Sequence, residues 1–131
     1  MAPTSKVSRG VGATLAWNNQ MTLNEYQRAA AETAIYPGKY GMLGKVYCAL
    51  KLNGEAGEVA EEIGKALRDD DQEITPDRRA KLLLELGDVL WYLANEAAEL
   101  GFSLGNVAQA NLDKLARRKA EGKLQGSGSD R

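Results

Sequence analysis

Two pairs of carboxylates, Glu55 with Glu58 and Glu85 with Asp88, are the residues whose types and spacing point most directly to chemistry. Members of each pair stand three apart, and on a helix that spacing puts both side chains on one face. If the two helices pack antiparallel the pairs converge. Four converging carboxylates repel one another strongly, and bound cations remove the conflict. Oxygen-only ligation, without imidazole or thiolate, selects magnesium or manganese over zinc or copper. An acidic pair at this spacing on one helix is more often a solvated face, but the neighbours argue otherwise. Gly54, Gly57 and Gly87 interrupt the two runs, although each mid-helix glycine costs about 1 kcal/mol relative to alanine, so a close backbone approach is expected there. The second pair is also embedded among Leu82, Leu83, Leu84, Leu86, Val89, Leu90 and Trp91, at the border of an apolar face. Carboxylates in such a place are costly unless paired or metallated.

A second constellation is Asn111, Lys114 and Arg118, whose i, i+3, i+7 spacing defines one helix face. Lysine and arginine complement phosphate, one as a point charge and the other as a planar fork. Taken alone, the same residues serve equally well as compensation for a helix dipole. Tyr92 falls one turn beyond Asp88, where a phenol can touch a sugar or base; as a lone residue it reads more readily as the edge of a core. Trp17, Trp91, Tyr26 and Tyr47 are further surfaces for stacking or packing.

Composition narrows the chemistry. The 131 residues contain no histidine, which excludes imidazole-based triads and the usual nitrogen-and-sulfur zinc sites. Any catalysis must use carboxylates, lysines, tyrosines or a hard metal. With 17 basic against 18 acidic residues the net charge is −1, so the chain lacks the field of a duplex-DNA binder. Cys48 is the lone cysteine and no signal-peptide pattern opens the sequence, which together point to a reduced, cytoplasmic setting. The most apolar stretch, 82–98, carries Glu85, Asp88 and Glu96 and is no membrane span.

The elements that must position these residues are four helices. The first twenty residues show no sustained period and are expected to form a loose arm. Thr22 and Glu25 fit a capping box, with Met21 and Tyr26 spaced as a hydrophobic staple, and the helix they start should end near Thr33 or Ala34, before Tyr36-Pro37-Gly38. From Val46 onward Ala49, Leu52, Ala56, Val59, Ala60, Ile63 and Leu67 trace an amphipathic second helix, closed by Asp69, Asp70 and Asp71. Thr75 followed by Pro76 starts a third, whose Leu82, Leu86, Val89, Leu90, Leu93 and Ala97 form a wide apolar face and whose end is marked by Gly101. Ser103 caps the fourth, carried by Leu104, Val107, Ala108, Leu112 and Leu115 to the basic end Arg117, Arg118, Lys119. The expected architecture is all-α, a four-helix-bundle type with a domain over 21–121 and a Gly/Ser-rich tail over 122–131.

The run Leu52-Asn53-Gly54-Glu55-Ala56-Gly57-Glu58-Val59, followed by Glu85-Leu86-Gly87-Asp88-Val89-Leu90-Trp91-Tyr92-Leu93, closely resembles the MazG-like nucleoside triphosphate pyrophosphohydrolases of the all-α pyrophosphatase superfamily, whose hallmark is ExxE followed by ExxD. The resemblance extends from Leu23-Asn24-Glu25-Tyr26-Gln27 through Asn111-Leu112-Asp113-Lys114-Leu115 to the C-terminal glycines; it departs at Gly128-Ser129-Asp130-Arg131, where related chains look like Gly-Asp-Asn-Arg. It implies that Glu55, Glu58, Glu85 and Asp88 bind magnesium and that Lys114 and Arg118 hold phosphates. The implied reaction releases a nucleoside monophosphate and pyrophosphate, with Glu58 the choice for a side-chain base, on a homodimer or homotetramer. Rival readings are phosphoribosyl-ATP cleavage on the same scaffold and a non-catalytic oligomerisation module. A di-iron bundle needs Glu-x-x-His pairs, which a chain without histidine cannot supply.

Overall fold

The computed structural model describes residues 20–125, so the arm before Gln20, with Trp17, and the tail from Gly126 lie outside the described residues. Four helices follow one another: α1 (Leu23–Glu32), α2 (Met42–Asp69), α3 (Pro76–Glu99) and α4 (Leu104–Ala120). The cap residues act as their chemistry dictates. Thr22 Oγ1 accepts from the Glu25 amide while Glu25 reaches back to the Thr22 amide, a complete capping box. Thr75 and Ser103 accept from the amides of Arg78 and Asn106. Gly101, at φ +79°, takes the left-handed turn that separates α3 from α4.

α2 begins at Met42, a turn before the expected start at Val46, and its N-cap Gly41 offers no side chain. What fixes this end is the turn at Gly38 together with Glu99 at the end of α3. The Gly44 amide donates to Gly38 O at 3.0 Å, and a Cβ at Gly44 would stand 2.7 Å from that oxygen and 2.9 Å from Glu99 Oε1. Only glycine allows the start of α2 to sit this close to the end of α3.

α2 and α3 form a long antiparallel hairpin, while α1 and α4 lie on α3 and on each other. The apolar core sits at that second junction and is made of small residues: Ala30, Ala94, Ala97 and Leu104, with Tyr26, Leu90, Trp91 and Val107 packed around them. Gln27 pins it, donating to Ala94 O and Phe102 O and accepting from the Leu104 amide. Asn24 accepts from Gly105 N at 2.8 Å.

The packing of α2 differs in part from the expected bundle. α2 touches neither α1 nor α4 among the described residues, so the four helices do not close into a bundle within one chain. The apolar series of α2 is divided: Leu52 and Val59 are half-buried, whereas Ile63 and Leu67 are exposed with Ala49, Ala56 and Ala60, and on α3 Leu86 is also exposed. The buried positions of α2 are instead Gly44, Cys48, Glu55, Glu62 and Ala66. Nor does any backbone approach Gly54, Gly57 or Gly87 within the chain, where a Cβ would meet nothing within 4 Å. No helix of the described residues is long and apolar enough to cross a membrane.

Candidate metal centre

The α2–α3 seam is lined with glutamates at helical spacing, and its two ends differ from its middle. At one end Glu99 is buried; it accepts from Tyr36 Oη at 2.7 Å and from the Tyr40 amide at 2.9 Å, with Lys45 4.0 Å away. Burial pushes the Glu99 carboxyl up, but the Tyr40 and Tyr36 bonds outweigh it and hold the group below its ordinary value. At the opposite end Glu62 accepts from Lys65 Nζ at 2.8 Å and from Arg78 Nη1 at 2.8 Å, and Arg78 Nε bonds Asp70 as well. The bond from Lys65, then the contacts with Arg78, depress the Glu62 carboxyl. Arg78 thereby ties α2, the connecting turn and α3 together.

The middle is different. Glu55 and Glu58 from α2 and Glu85 from α3 each present a carboxylate oxygen, all within 4.8 Å of one another. Glu55 is buried, Glu85 half-buried and Glu58 exposed. Desolvation first, then the charges of Glu58, Asp88 and Glu55, push the Glu85 carboxyl above its ordinary value. Crowded anions at hydrogen-bonding depth, all hard oxygen donors and drawn from two rigid helices, fit a divalent ion of the magnesium or manganese type.

Asp88 is exposed and stands outside this group of three. It remains close enough for its charge to raise both Glu85 and the Tyr26 phenol of α1, the latter already raised by burial. Tyr92, one turn on, belongs to an aromatic cluster: its ring centroid lies 4.8 Å from Trp91 and 6.4 Å from Tyr47, and Tyr47 stacks on Tyr36 at 5.8 Å. Lys51 bridges cluster and acids, with Nζ 2.9 Å from Glu55 Oε1 and 5.5 Å from the Tyr92 ring centroid. Asn111, Lys114 and Arg118 share α4, which makes no contact with α2; Asn111 and Lys114 are exposed and Arg118 is half-buried. The chain thus brings together three of the four expected ligands and the tyrosine, and does not pack the helix bearing the expected phosphate grip against α2.

Four residues of the seam escaped the sequence reading: Lys51, Glu62, Arg78 and Glu99. The signal for Lys51 was present, since it precedes Glu55 by four residues, the spacing of a helical ion pair. Glu62 likewise follows Glu55 by seven, on the same face. Arg78 and Glu99 are recognisable only once the hairpin is in register.

The sequence has relatives. Residues 47–122 match the MazG nucleotide pyrophosphohydrolase domain, a span that contains both carboxylate pairs, Lys51 and all of α4. The chain is 47% identical over 114 residues to the Gene 37 protein of Mycobacterium phage L5, an alignment covering 85% of this chain and 100% of the phage protein. No solved structure matches it. With its converging acidic residues on two antiparallel helices inside the matched span, the chain belongs to the MazG nucleotide pyrophosphohydrolase domain family.

Proposed function

We propose that the protein is a magnesium-dependent hydrolase that splits ribo- or deoxyribonucleoside triphosphates into nucleoside monophosphate and pyrophosphate and so controls nucleotide pools. The observation that carries this reading is the approach of Glu55, Glu58 and Glu85 oxygens to within 4.8 Å of one another in a chain of this family. These three carboxylates would hold magnesium, or manganese in its place, and the ExxD pattern assigns Asp88 as the fourth ligand. A bound divalent ion supplies charge neutralisation at the α-phosphate and the departing pyrophosphate and lowers the pKa of water. Glu58, the most exposed of the three, is the carboxylate we assign to take the proton from the water that attacks the α-phosphorus. Tyr92, beside the cluster, is placed against sugar or base. Lys114 and Arg118, with Asn111, are assigned to the outer phosphates. Because α4 does not reach α2, that assignment is the part of the site most dependent on assembly.

Assembly is expected. Leu50, Ile63 and Leu67 of α2 and Leu83, Leu84 and Leu86 of α3 are all exposed, and each such side chain gains about 1.5–3 kcal/mol on full burial. The open glycines of the seam helices give a second copy room for close approach. We assign residues 21–121 to the catalytic domain and expect a homodimer or homotetramer by light scattering; a monomer with full activity would remove that claim. The reaction itself is tested by product analysis across all ribo- and deoxyribonucleoside triphosphates, with phosphoribosyl-ATP included, in magnesium and oxygen-18 water. Label in the monophosphate with unlabelled pyrophosphate supports the reading. Label in orthophosphate with accumulating diphosphate overturns it, and inertness towards every substrate favours the non-catalytic module.

A further inference from the structure

Lys51 holds the one seam carboxylate that is both buried and a member of the three-acid group. Its ammonium reaches Glu55 Oε1 at 2.9 Å, yet the lysine side chain remains 42% exposed while that of Glu55 is 10% exposed. The stem is therefore free to swing and the carboxylate is not. On its far side the ammonium lies 5.5 Å from the Tyr92 ring centroid, a cation–π contact that keeps the head group beside the acids when it is not bonded to Glu55. A lysine is suited to such a dual position, being a compact point charge on four rotatable carbons rather than a fixed fork.

Building on the divalent-metal reading above, we propose that Lys51 is a displaceable counter-ion: it pairs with Glu55 while the cluster holds no metal, and once a metal takes Glu55 the freed ammonium binds a phosphate oxygen of the nucleotide. Two consequences follow from charge alone. Metal must break the Lys51–Glu55 pair, so the lysine weakens metal binding to the free protein. The released cation then strengthens nucleotide binding to the metal-loaded protein, and by linkage nucleotide strengthens metal binding in return. Lys65 supplies the contrast. It carries the same charge on the same helix but pairs with Glu61 and Glu62, outside the group of three.

The test uses the full chain and two probes read by calorimetry, Mn2+ alone and then an α,β-methylene nucleoside triphosphate at saturating Mn2+. Lys51→Met should bind Mn2+ about twofold to fivefold more tightly than the wild type, the range of one partly exposed ion pair. The same variant should bind the nucleotide analogue about tenfold more weakly, the loss of one charged hydrogen bond. Lys65→Met should change neither beyond a small factor, and Lys51→Gln repeats the measurement should the methionine variant lose its helical circular dichroism. Unchanged or weaker Mn2+ binding by Lys51→Met, an equal gain from Lys65→Met, or unaltered nucleotide affinity would each overturn the proposal. Those failures leave the metal reading intact, whereas a wild-type protein that binds no Mn2+ at all defeats both.

Discussion

Five of the glutamates along the α2–α3 seam, chemically identical, meet opposite circumstances at its ends and in its middle. Glu62 and Glu99 are surrounded by donors from the chain itself: Arg78 and Lys65 for the first, the Tyr36 hydroxyl and Tyr40 amide for the second. Glu55, Glu58 and Glu85 face one another, and Lys51 pairs with Glu55. The end residues lock the register of the two helices. A register locked from both ends holds the middle three close together despite their repulsion, which a loose hairpin would relieve by sliding. The difference teaches that burial does not separate scaffold acids from site acids, since Glu55 and Glu62 are buried alike; what sets Glu55, Glu58 and Glu85 apart is that they face one another.

That contrast can be broken most forcefully by activity. Glu55→Gln, Glu58→Gln and Glu85→Gln should each lower turnover by at least about 100-fold, since even partners behind a ligand cost 10–100-fold, while circular dichroism stays that of the wild type. Removing one crowded anion should also raise the melting temperature of the metal-free protein. A middle variant that keeps wild-type turnover would erase the distinction. The opposite signature belongs to the ends. Glu99→Ala leaves the Tyr36 hydroxyl and the Tyr40 amide without their acceptor and should cost about 2 kcal/mol in urea unfolding. Arg78→Met should likewise lower stability, and should reduce turnover only as far as it loosens the register of Glu55 and Glu85.

Acidity sharpens the comparison further, because the two regions shift in opposite directions. Glu62 and Glu99 are depressed in the fold, so their contribution is present above the unfolded value near 4.5 and is lost as pH falls through the depressed values. Glu85 is raised, so the fold binds its proton more tightly than the unfolded chain does. Its contribution is full below 4.5 and is lost as pH climbs through the raised value. Urea midpoints of the metal-free protein should therefore fall on both sides of an optimum, and magnesium should remove the fall on the alkaline side only. The smallest expected effect is at the junction of α1 and α4. Asn24→Ala frees the Gly105 amide, a partly exposed site, and should cost about 1 kcal/mol with turnover unchanged.

Local chemistry made most of the fold legible. Thr22 with Glu25, Thr75 with Pro76, Ser103 and Gly101 are signals a few residues long, and each marks the boundary the structure has. The start of α2 was hidden because Gly41 carries no capping group and the restraint on Gly44 comes from Glu99, 55 positions along the chain. Periodicity misled in one respect: it located apolar series on α2 and α3 but could not say that Ile63 and Leu67 of α2 and Leu86 of α3 would stay open to solvent in one chain while Glu55 and Glu62 of α2 are buried. Both acidic pairs were visible in the sequence because spacing alone puts them on common faces. Which of the four meet was not, since Glu85 and Asp88 differ by a rotation that only packing decides.

A divalent ion held in the middle of the seam is the central claim, and anomalous scattering from crystals grown with Mn2+ examines it directly. The expected map has its strongest anomalous peak among the carboxylates of Glu55, Glu58 and Glu85, with the Lys51 ammonium withdrawn from Glu55. A well-ordered seam with no manganese peak there, or with the metal bound at Glu62 or Glu99 instead, would contradict it.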